Sequence, residues 1–412
     1  MGKLAITGGE PTAQLSAPAW PVHSADDAQR LLRVLESGSW SMMGEMEDAF
    51  NHAWAEFSGS RHSLAVTNGT HALQLAYEAL DIGFGDEVIV PAMTWQATAG
   101  AALDVNAVPV LVDVEADTWC IDPQAVESAI TPRTRAIACV HLYGCMVDMD
   151  AIMDIARGHD LRVVEDCSHQ HGSQWRGKGV GTTGDVGTFS FQLSKVMTAG
   201  ECGCVFAQDD DLFRRLDQLR SCGRPSSHFP EEAQSPLQSG NFRVTEWQCA
   251  ILLGQLERLP DQIATREVCG QRLNRVLAES PGVRPLRRLD GVTRQSYYSY
   301  GFRFLSEEWD GLSRDRFCAA LSAETGLEFS RPYSSLNDCD LYQPRTKKRH
   351  CISDEYWAAI DPTRFHVPVA DRTSKAEGVV MDHQVLLLPP ENMDAVGEAI
   401  LKLHRHRDEL RG

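Results

Sequence analysis

The amino-acid sequence predicts an α/β protein: a mostly parallel sheet flanked by helices, followed by a smaller α+β domain. Three observations predict this. Between about residues 45 and 210, short apolar runs alternate with stretches of helical spacing. One helix-length segment separates most runs from the next, the pattern of right-handed crossovers between parallel strands. Beyond residue 260 the regular alternation gives way to a mixture of strand and helix patterns. The 412 residues divide accordingly into a large domain over 1–260, N-terminal segment included, and a small C-terminal domain over 261–412.

The elements follow in order. Segment 45–57 is amphipathic and stops at Ser58-Gly59, so it reads as a helix. Residues 63–66 read as a strand, and 70–80 have helical spacing that ends near Gly83. Glu87-Val88-Ile89-Val90, closed by Pro91, is a strand of the buried type. Further strands are expected at 108–112, 136–140 and 162–165, with helices near 96–103, 123–130 and 149–158. Runs at 189–191 and 203–207 complete this domain. A long helical pattern fills 245–279, with a break expected at Pro260. A helix of that length could bridge two domains. After it, 295–304 alternates like a strand, 314–325 reads as a helix, and 394–406 as a closing helix. The polar stretch 226–239 reads as a loop. There is no internal repeat and no low-complexity tract.

Composition narrows the function classes. A net charge of -18 disfavours nucleic-acid phosphates and anionic membrane surfaces as partners, though a local basic pocket can still take a small anion. The 12 cysteines are scattered without a CxxC pair, as expected of reduced thiols in a cytoplasmic protein. The N-terminus has no apolar core of signal-peptide length, and Ile6 stands where N-myristoylation at Gly2 would want Ser or Thr. No apolar run approaches a membrane span. The reading is a cytoplasmic protein with neither nucleic acid nor membrane as partner.

Four local features carry chemistry. Lys195 follows a strand and precedes Thr198-Ala199-Gly200. Partial burial of such a lysine lowers its pKa and frees a neutral amine for reaction with a carbonyl; a solvated lysine is the plain alternative. Asp166 ends a strand, where carboxylates of open α/β sheets face the ligand crevice, or else cap the next segment. Val66-Thr67-Asn68-Gly69-Thr70 runs from a strand into a helix, whose N-terminal N–H groups favour a phosphate; an ordinary cap explains it too. Trp95 ends another strand and could stack on a flat ring or simply fill the core.

Phosphate turn, stacking aromatic, aspartate and lysine come in that order, and together they resemble the fold type I transferases that depend on pyridoxal 5'-phosphate (PLP). More narrowly, the chain resembles the DegT/DnrJ/EryC1/StrS sugar aminotransferases over nearly its whole length. Asn68-Gly69-Thr70-His71-Ala72-Leu73, His141-Leu142-Tyr143-Gly144, Glu165-Asp166-Cys167-Ser168-His169-Gln170-His171-Gly172 and Thr198-Ala199-Gly200-Glu201 match that family's motifs in sequence. Gly240-Asn241-Phe242-Arg243-Val244-Thr245-Glu246 matches the segment that reaches into a neighbouring subunit's site. Asp113 to Pro123, Arg294 to Tyr300 and Leu341 to His350 are similar to the glutamine-dependent scyllo-inosose and 2-deoxy-scyllo-inosose aminotransferases of aminocyclitol antibiotic biosynthesis.

The resemblance implies roles. Lys195 links to PLP and then moves the substrate proton; Asp166 pairs with the pyridine nitrogen; Trp95 covers a ring face; His169 lies near the ring oxygen. Gly69, Thr70 and Ser190 hold the phosphate, joined by Asn241 from a partner subunit, which makes the protein a homodimer with shared sites. The amino donor is L-glutamine or glutamate and the acceptor a cyclic ketone. Lys195 also separates the chain from dehydratases of the family, which lack it. His169, His171 and Asp166 could pass for metal ligands, but a metal explains neither Lys195 nor Gly69-Thr70, so no metal is expected.

Three departures bear on the acceptor: Cys202 replaces a glycine, Arg331 to Asp338 lacks the usual proline and histidine, and His169 replaces a glutamine. An acceptor among nucleotide-linked keto-sugars is one alternative, for which Lys347, Lys348 and Arg349 could offer charge. An aminohydroxybenzoate synthase-like activity, suggested by Ser221-Cys222-Gly223-Arg224-Pro225, is another. A non-catalytic binding or regulatory protein on the same fold is the third; intact Lys195 and Asp166 count against it.

Overall fold

The computed structural model describes residues 3–226, 228–230 and 234–410. Gly2 and positions 227 and 231–233 of the expected 226–239 loop lie outside the described residues.

Among the described residues, thirteen strands form three sheets. In chain order they are β1 (His62–Val66), β2 (Glu87–Pro91), β3 (Val108–Val112), β4 (Thr134–Val140), β5 (Arg162–Asp166), β6 (Gln174–Trp175), β7 (Lys178–Gly179), β8 (Val186–Ser190), β9 (Gly203–Ala207), β10 (Val283–Pro285), β11 (Val292–Arg294), β12 (Ser299–Phe304) and β13 (Gly378–Asp382). The main sheet has seven strands in the order β1-β9-β8-β5-β4-β2-β3. Pairs β3–β2, β2–β4, β4–β5 and β5–β8 are parallel, while β9 runs against both β8 and β1. Only β9 is therefore reversed, and the mostly parallel α/β sheet is as expected. Valine-rich β2 and β3 are buried along their whole length, which suits strands covered on both faces.

Local chemistry starts the flanking helices. Asn68 Oδ1 accepts from His71 N at 2.9 Å and caps helix Gly69–Ala79. Asp148 Oδ1 accepts from Ala151 N at 3.1 Å and caps helix Met149–His159. Helix Ala25–Ser37, opened by a capping box at Ser24, has no counterpart in the sequence reading.

Three expectations need correction. The strand expected at 189–191 is Val186–Ser190, and Phe191 leaves the ladder. Its first half was hidden by Gly187, which weakens a strand signal; a Cβ there would lie 2.4 Å from the Gly181 carbonyl oxygen, so the position requires glycine. Pro260 does not break the long helix, which is continuous over Glu246–Ala278. Pro260 is exposed, so its ring displaces nothing in the core, while buried Leu256, Leu259 and Ile263 hold the turns on either side. Finally, 295–304 is a strand only over Ser299–Phe304. Residues before it give their polar groups elsewhere: Gln295 Nε2 to the Gly144 carbonyl, Ser296 N to Ser173 Oγ at 2.8 Å, and Tyr298 N to the Tyr143 carbonyl at 3.3 Å.

The described residues form two apolar clusters. The larger lies around the main sheet and also takes in Leu286, Leu336, Tyr342, Tyr356 and Val380. The smaller packs β10, β12 and β13 against helices Arg314–Thr325 and Asn392–Arg405. Helix Glu246–Ala278 contributes Leu252 and Leu259 to the first and Leu273 and Leu277 to the second. The chain winds outward from β2 to β3, then returns to place β4 on the other side of β2. Such a reversal opens a crevice beyond the carboxyl ends of the strands.

Candidate active site

A cavity of about 640 Å³ opens at that rim. Its walls come from the residues that follow the parallel strands: Gly69 and Thr70 after β1, Trp95 after β2, Asp166 at the end of β5, and Ser190 at the end of β8. Lys195 enters from the turn that follows β8. Seven of the eight residues singled out in the sequence, His169 among them, therefore converge here.

Asp166 and Lys195 share this space with opposite charge preferences. The Asp166 carboxylate is held by two donors, Thr98 Oγ1 at 2.9 Å on Oδ2 and Ser168 N at 3.2 Å on Oδ1. Thr98 Oγ1 is in turn 3.1 Å from Thr94 Oγ1, four residues earlier and ahead of helix Ala97–Asp104. Lys195 is buried and its Nζ lies 4.1 Å from the centre of the Tyr298 ring. Burial pulls its pKa down to about 7, against the opposing attraction of Asp166. A substantial share of neutral amine at physiological pH follows, which is what attack on a carbonyl requires.

His169 is neutral, because burial disfavours its charged form and Lys195 adds to the effect. Its Nδ1 accepts from Tyr143 N at 3.2 Å, so the proton sits on Nε2, 3.4 Å from Tyr333 Oη. The ring stacks on Tyr298 with centroids 4.0 Å apart. His171 points elsewhere: its Nε2 bonds the Ser190 carbonyl at 2.9 Å and its ring packs near Trp54 and Phe191. Residues 167–172 form turns instead of an extended run, so the two histidines do not share a face.

The turn at the head of helix Gly69–Ala79 is pressed against Ser190. A Cβ at Gly69 would come within 2.6 Å of Ser190 Cβ, so only glycine lets the helix N-terminus and the Ser190 hydroxyl converge. Behind it, a Cβ at Gly203 would lie 2.4 Å from the Asn68 carbonyl carbon. Cys202 is accommodated without strain: its backbone is not left-handed, and its buried Sγ lies 3.2 Å from the Val66 carbonyl. Gly200, at φ 82°, makes the turn instead.

His141, Glu165 and Cys167 hold potential ligand atoms within 4.8 Å of one another. The Glu165 oxygens are already occupied by N–H groups of Gly181, Thr183 and Gly184 at 2.6–3.0 Å and by His141 Nε2 at 3.1 Å. His141 Nδ1 accepts from Val147 N at 3.1 Å. This is a buried hydrogen-bonded knot, and none of the three residues lines the cavity.

A family model for the DegT/DnrJ/EryC1/StrS aminotransferases matches residues 21–377. The chain belongs to this family. It is an aminotransferase on the PLP-dependent transferase fold of type I. An L-glutamine:2-deoxy-scyllo-inosose aminotransferase of Streptoalloteichus tenebrarius is 38% identical over 99% of both chains. A second protein of that organism, provisionally named an L-glutamine:3-amino-2,3-dideoxy-scyllo-inosose aminotransferase, is 41% identical over 99% of both. The crystal structure of 3-amino-5-hydroxybenzoic acid synthase superposes with a TM-score of 0.82 at 35% identity, covering 95% of this chain and 99% of that one.

Asn241 does not line the cavity of its own chain in this family member. It is exposed beside Ser221, and its Oδ1 accepts from Arg243 N at 3.2 Å. Arg243 reaches Cys222 Sγ at 3.2 Å. Lys347 and Arg349 pair with Asp104, outside the cavity. Sequence reasoning missed Thr98, Tyr298 and Tyr333 as site residues. The i, i+4 spacing of Thr94 and Thr98 directly after a strand was a usable signal. Tyr298 and Tyr333 fall within Arg294 to Tyr300 and Arg331 to Asp338, segments singled out for the acceptor, but neither side chain was picked as a site residue.

Proposed function

We propose that this protein transfers an amino group from L-glutamine, or glutamate, to a keto-cyclitol such as 2-deoxy-scyllo-inosose or scyllo-inosose, with PLP as cofactor. One observation carries the reading: Lys195, Asp166 and the Gly69–Ser190 cradle meet in a single cavity. The residues fit PLP by their chemistry. The cradle offers helix N–H groups and hydroxyls of Thr70 and Ser190 to a phosphate. Asp166 offers a buried carboxylate to a pyridine nitrogen, Lys195 an amine of lowered pKa to an aldehyde, and Trp95, 45% exposed, a free ring face. When bound, PLP supplies an electron sink for the substrate carbon and carries nitrogen between donor and acceptor.

In this reading Asp166 keeps its partner nitrogen charged, with Thr98 and Ser168 holding the carboxylate in line. Lys195 Nζ takes a proton from the substrate carbon and delivers one back. His169, neutral, donates from Nε2 near the ring oxygen. Tyr298 and Tyr333 wall off water on the side of the small domain. Two protomers pair so that Asn241 of each completes the other's phosphate cradle. The large unit over 1–260 supplies the chemistry and the unit over 261–412 the lid-side wall. The enzyme's proposed place is the cytoplasm, where its 12 scattered cysteines would stay reduced; among the described residues no helix is long and apolar enough to cross a membrane.

A half-reaction screen tests the reading. The holoenzyme is mixed with L-glutamine or glutamate and loss of the yellow colour followed; a ketone is then added and its return followed. 2-Deoxy-scyllo-inosose, scyllo-inosose and 3-amino-2,3-dideoxy-scyllo-inosose are compared with nucleotide-linked keto-sugars. Recovery with the free cyclitols is expected; recovery with nucleotide-linked sugars alone would replace the acceptor. Lys195→Ala is expected to abolish both phases, and normal turnover in that variant would refute the assignment.

A further inference from the structure

The turn that carries Lys195 is tied down by three distant parts of the chain. Trp20 Nε1 donates to the Leu193 carbonyl at 3.1 Å. The Ser194 hydroxyl bonds the Tyr298 hydroxyl at 2.9 Å. His383, just beyond β13, places Nε2 3.1 Å from the Ser194 carbonyl. A carbonyl can only accept, so the His383 proton is on Nε2 and Nδ1 is an acceptor. Arg266 Nη2 fills that acceptor at 3.0 Å and thereby sets the tautomer.

Arg266 is itself unusual. It lies fully buried on helix Glu246–Ala278, its Nε has no partner, and no carboxylate among the described residues pairs with it. Its other neighbours are Gln262 Oε1 at 3.5 Å and the face of Trp20 at 5.5 Å. Trp20 meets the His383 ring edge-on, with centroids 4.6 Å apart. A buried guanidinium without a counter-charge is costly, and folds retain such costs where a geometry is needed. Here Trp20, His383 and Arg266 form one unit whose two ring N–H groups seize the consecutive carbonyls of Leu193 and Ser194.

We propose that His383, its tautomer fixed by Arg266, is a positioning residue that sets the turn from which Lys195 reaches into the cavity. The proposal rests on the reading of Lys195 as the cofactor-linking amine. It connects the small domain and the long helix mechanically to the reacting group, although neither His383 nor Arg266 lines the cavity.

The test compares His383→Phe, which keeps a ring but loses the donor, with His383→Gln, whose amide N–H ends close to where Nε2 stands. In the PLP-loaded enzyme, His383→Phe is expected to slow the L-glutamine half-reaction by about tenfold to a hundredfold, the scale of a small misplacement. The KM for L-glutamine should change little, and the visible band of the lysine-linked cofactor should shift. His383→Gln should recover most of the rate and the wild-type band, even where both variants lose equal thermal stability. If His383→Phe does not fold, His383→Asn replaces it, since its amide ends near Nδ1 and falls short of the Ser194 carbonyl. Equal slowing in the Gln and Phe variants, or wild-type rate and band in the Phe variant, would overturn the proposal. Borohydride trapping separates the two levels. If the wild-type enzyme traps no PLP on Lys195, both readings fall. Normal trapping with an unimpaired His383→Phe sinks this one alone.

Discussion

Glu165 and Asp166 are neighbours at the end of β5, and their side chains leave the strand on opposite faces. Both are buried. Glu165 turns inward and has its oxygens occupied by three backbone N–H groups and His141. These donors keep its pKa below the usual glutamate range despite the opposing effect of burial. Asp166 turns toward the cavity, with Thr98 and Ser168 as its two hydrogen-bond donors. Burial alone therefore does not distinguish a carboxylate enclosed by the fold from one presented to the cavity. Whether the oxygens face a closed set of donors or an open space does.

The sharpest way to break this comparison is to neutralise each carboxylate in turn. Asp166→Asn should cut turnover by about two orders of magnitude, the scale of removing one preorganised charge from a desolvated site, and leave the unfolding midpoint nearly unchanged. Glu165→Gln should do the reverse. Its amide nitrogen would face backbone N–H groups, costing about 2–3 kcal/mol in denaturant unfolding with little change in the PLP spectrum. If the two phenotypes were exchanged, the assignment of roles on β5 would be wrong.

A subtler contrast concerns Lys195. Its folded pKa of about 7 lies below the ordinary lysine value of 10.5. Between those values the unfolded chain carries a proton that the folded protein has released, so unfolding takes one up and stability rises with pH. Cofactor-free protein should thus gain stability from about pH 7 towards 10.5 relative to a Lys195→Met variant; parallel curves would show that the amine is not desolvated. The smallest effect is expected at Trp95, which is 45% exposed. Trp95→Ala should weaken PLP binding by about 1 kcal/mol, the scale of an aromatic contact, measured by cofactor titration, and barely move the melting temperature.

Much of the site was legible because each parallel strand marks its own end. Asn68-Gly69-Thr70, Trp95 and Asp166 all follow short apolar runs, and in this topology those ends share one rim. Lys195 was legible for a related reason, the turn after β8. Tyr298 and Tyr333 lie in segments that were singled out, but their place in the site was not legible, since it depends on how the chain beyond the long helix folds back. Tyr143 Oη accepts from Tyr333 N at 2.7 Å, a contact across 190 residues that no local pattern announces. Pro260 misled because its local helix-breaking cost is offset by packing on both sides. Asn241 is a different case: its expected role needs a second protomer.

The long helix bears on how this protein can be divided in the laboratory. Cutting after residue 260 would strip Ile263, Leu336, Tyr342 and Tyr356 from the larger apolar cluster and sever helix Glu246–Ala278 in its interior. A fragment ending there would present a greasy floor to solvent and is a poor choice for expression. Shuffling acceptor specificity between relatives by swapping C-terminal halves would carry the same hazard, so grafts are better confined to the loops that carry Tyr298 and Tyr333.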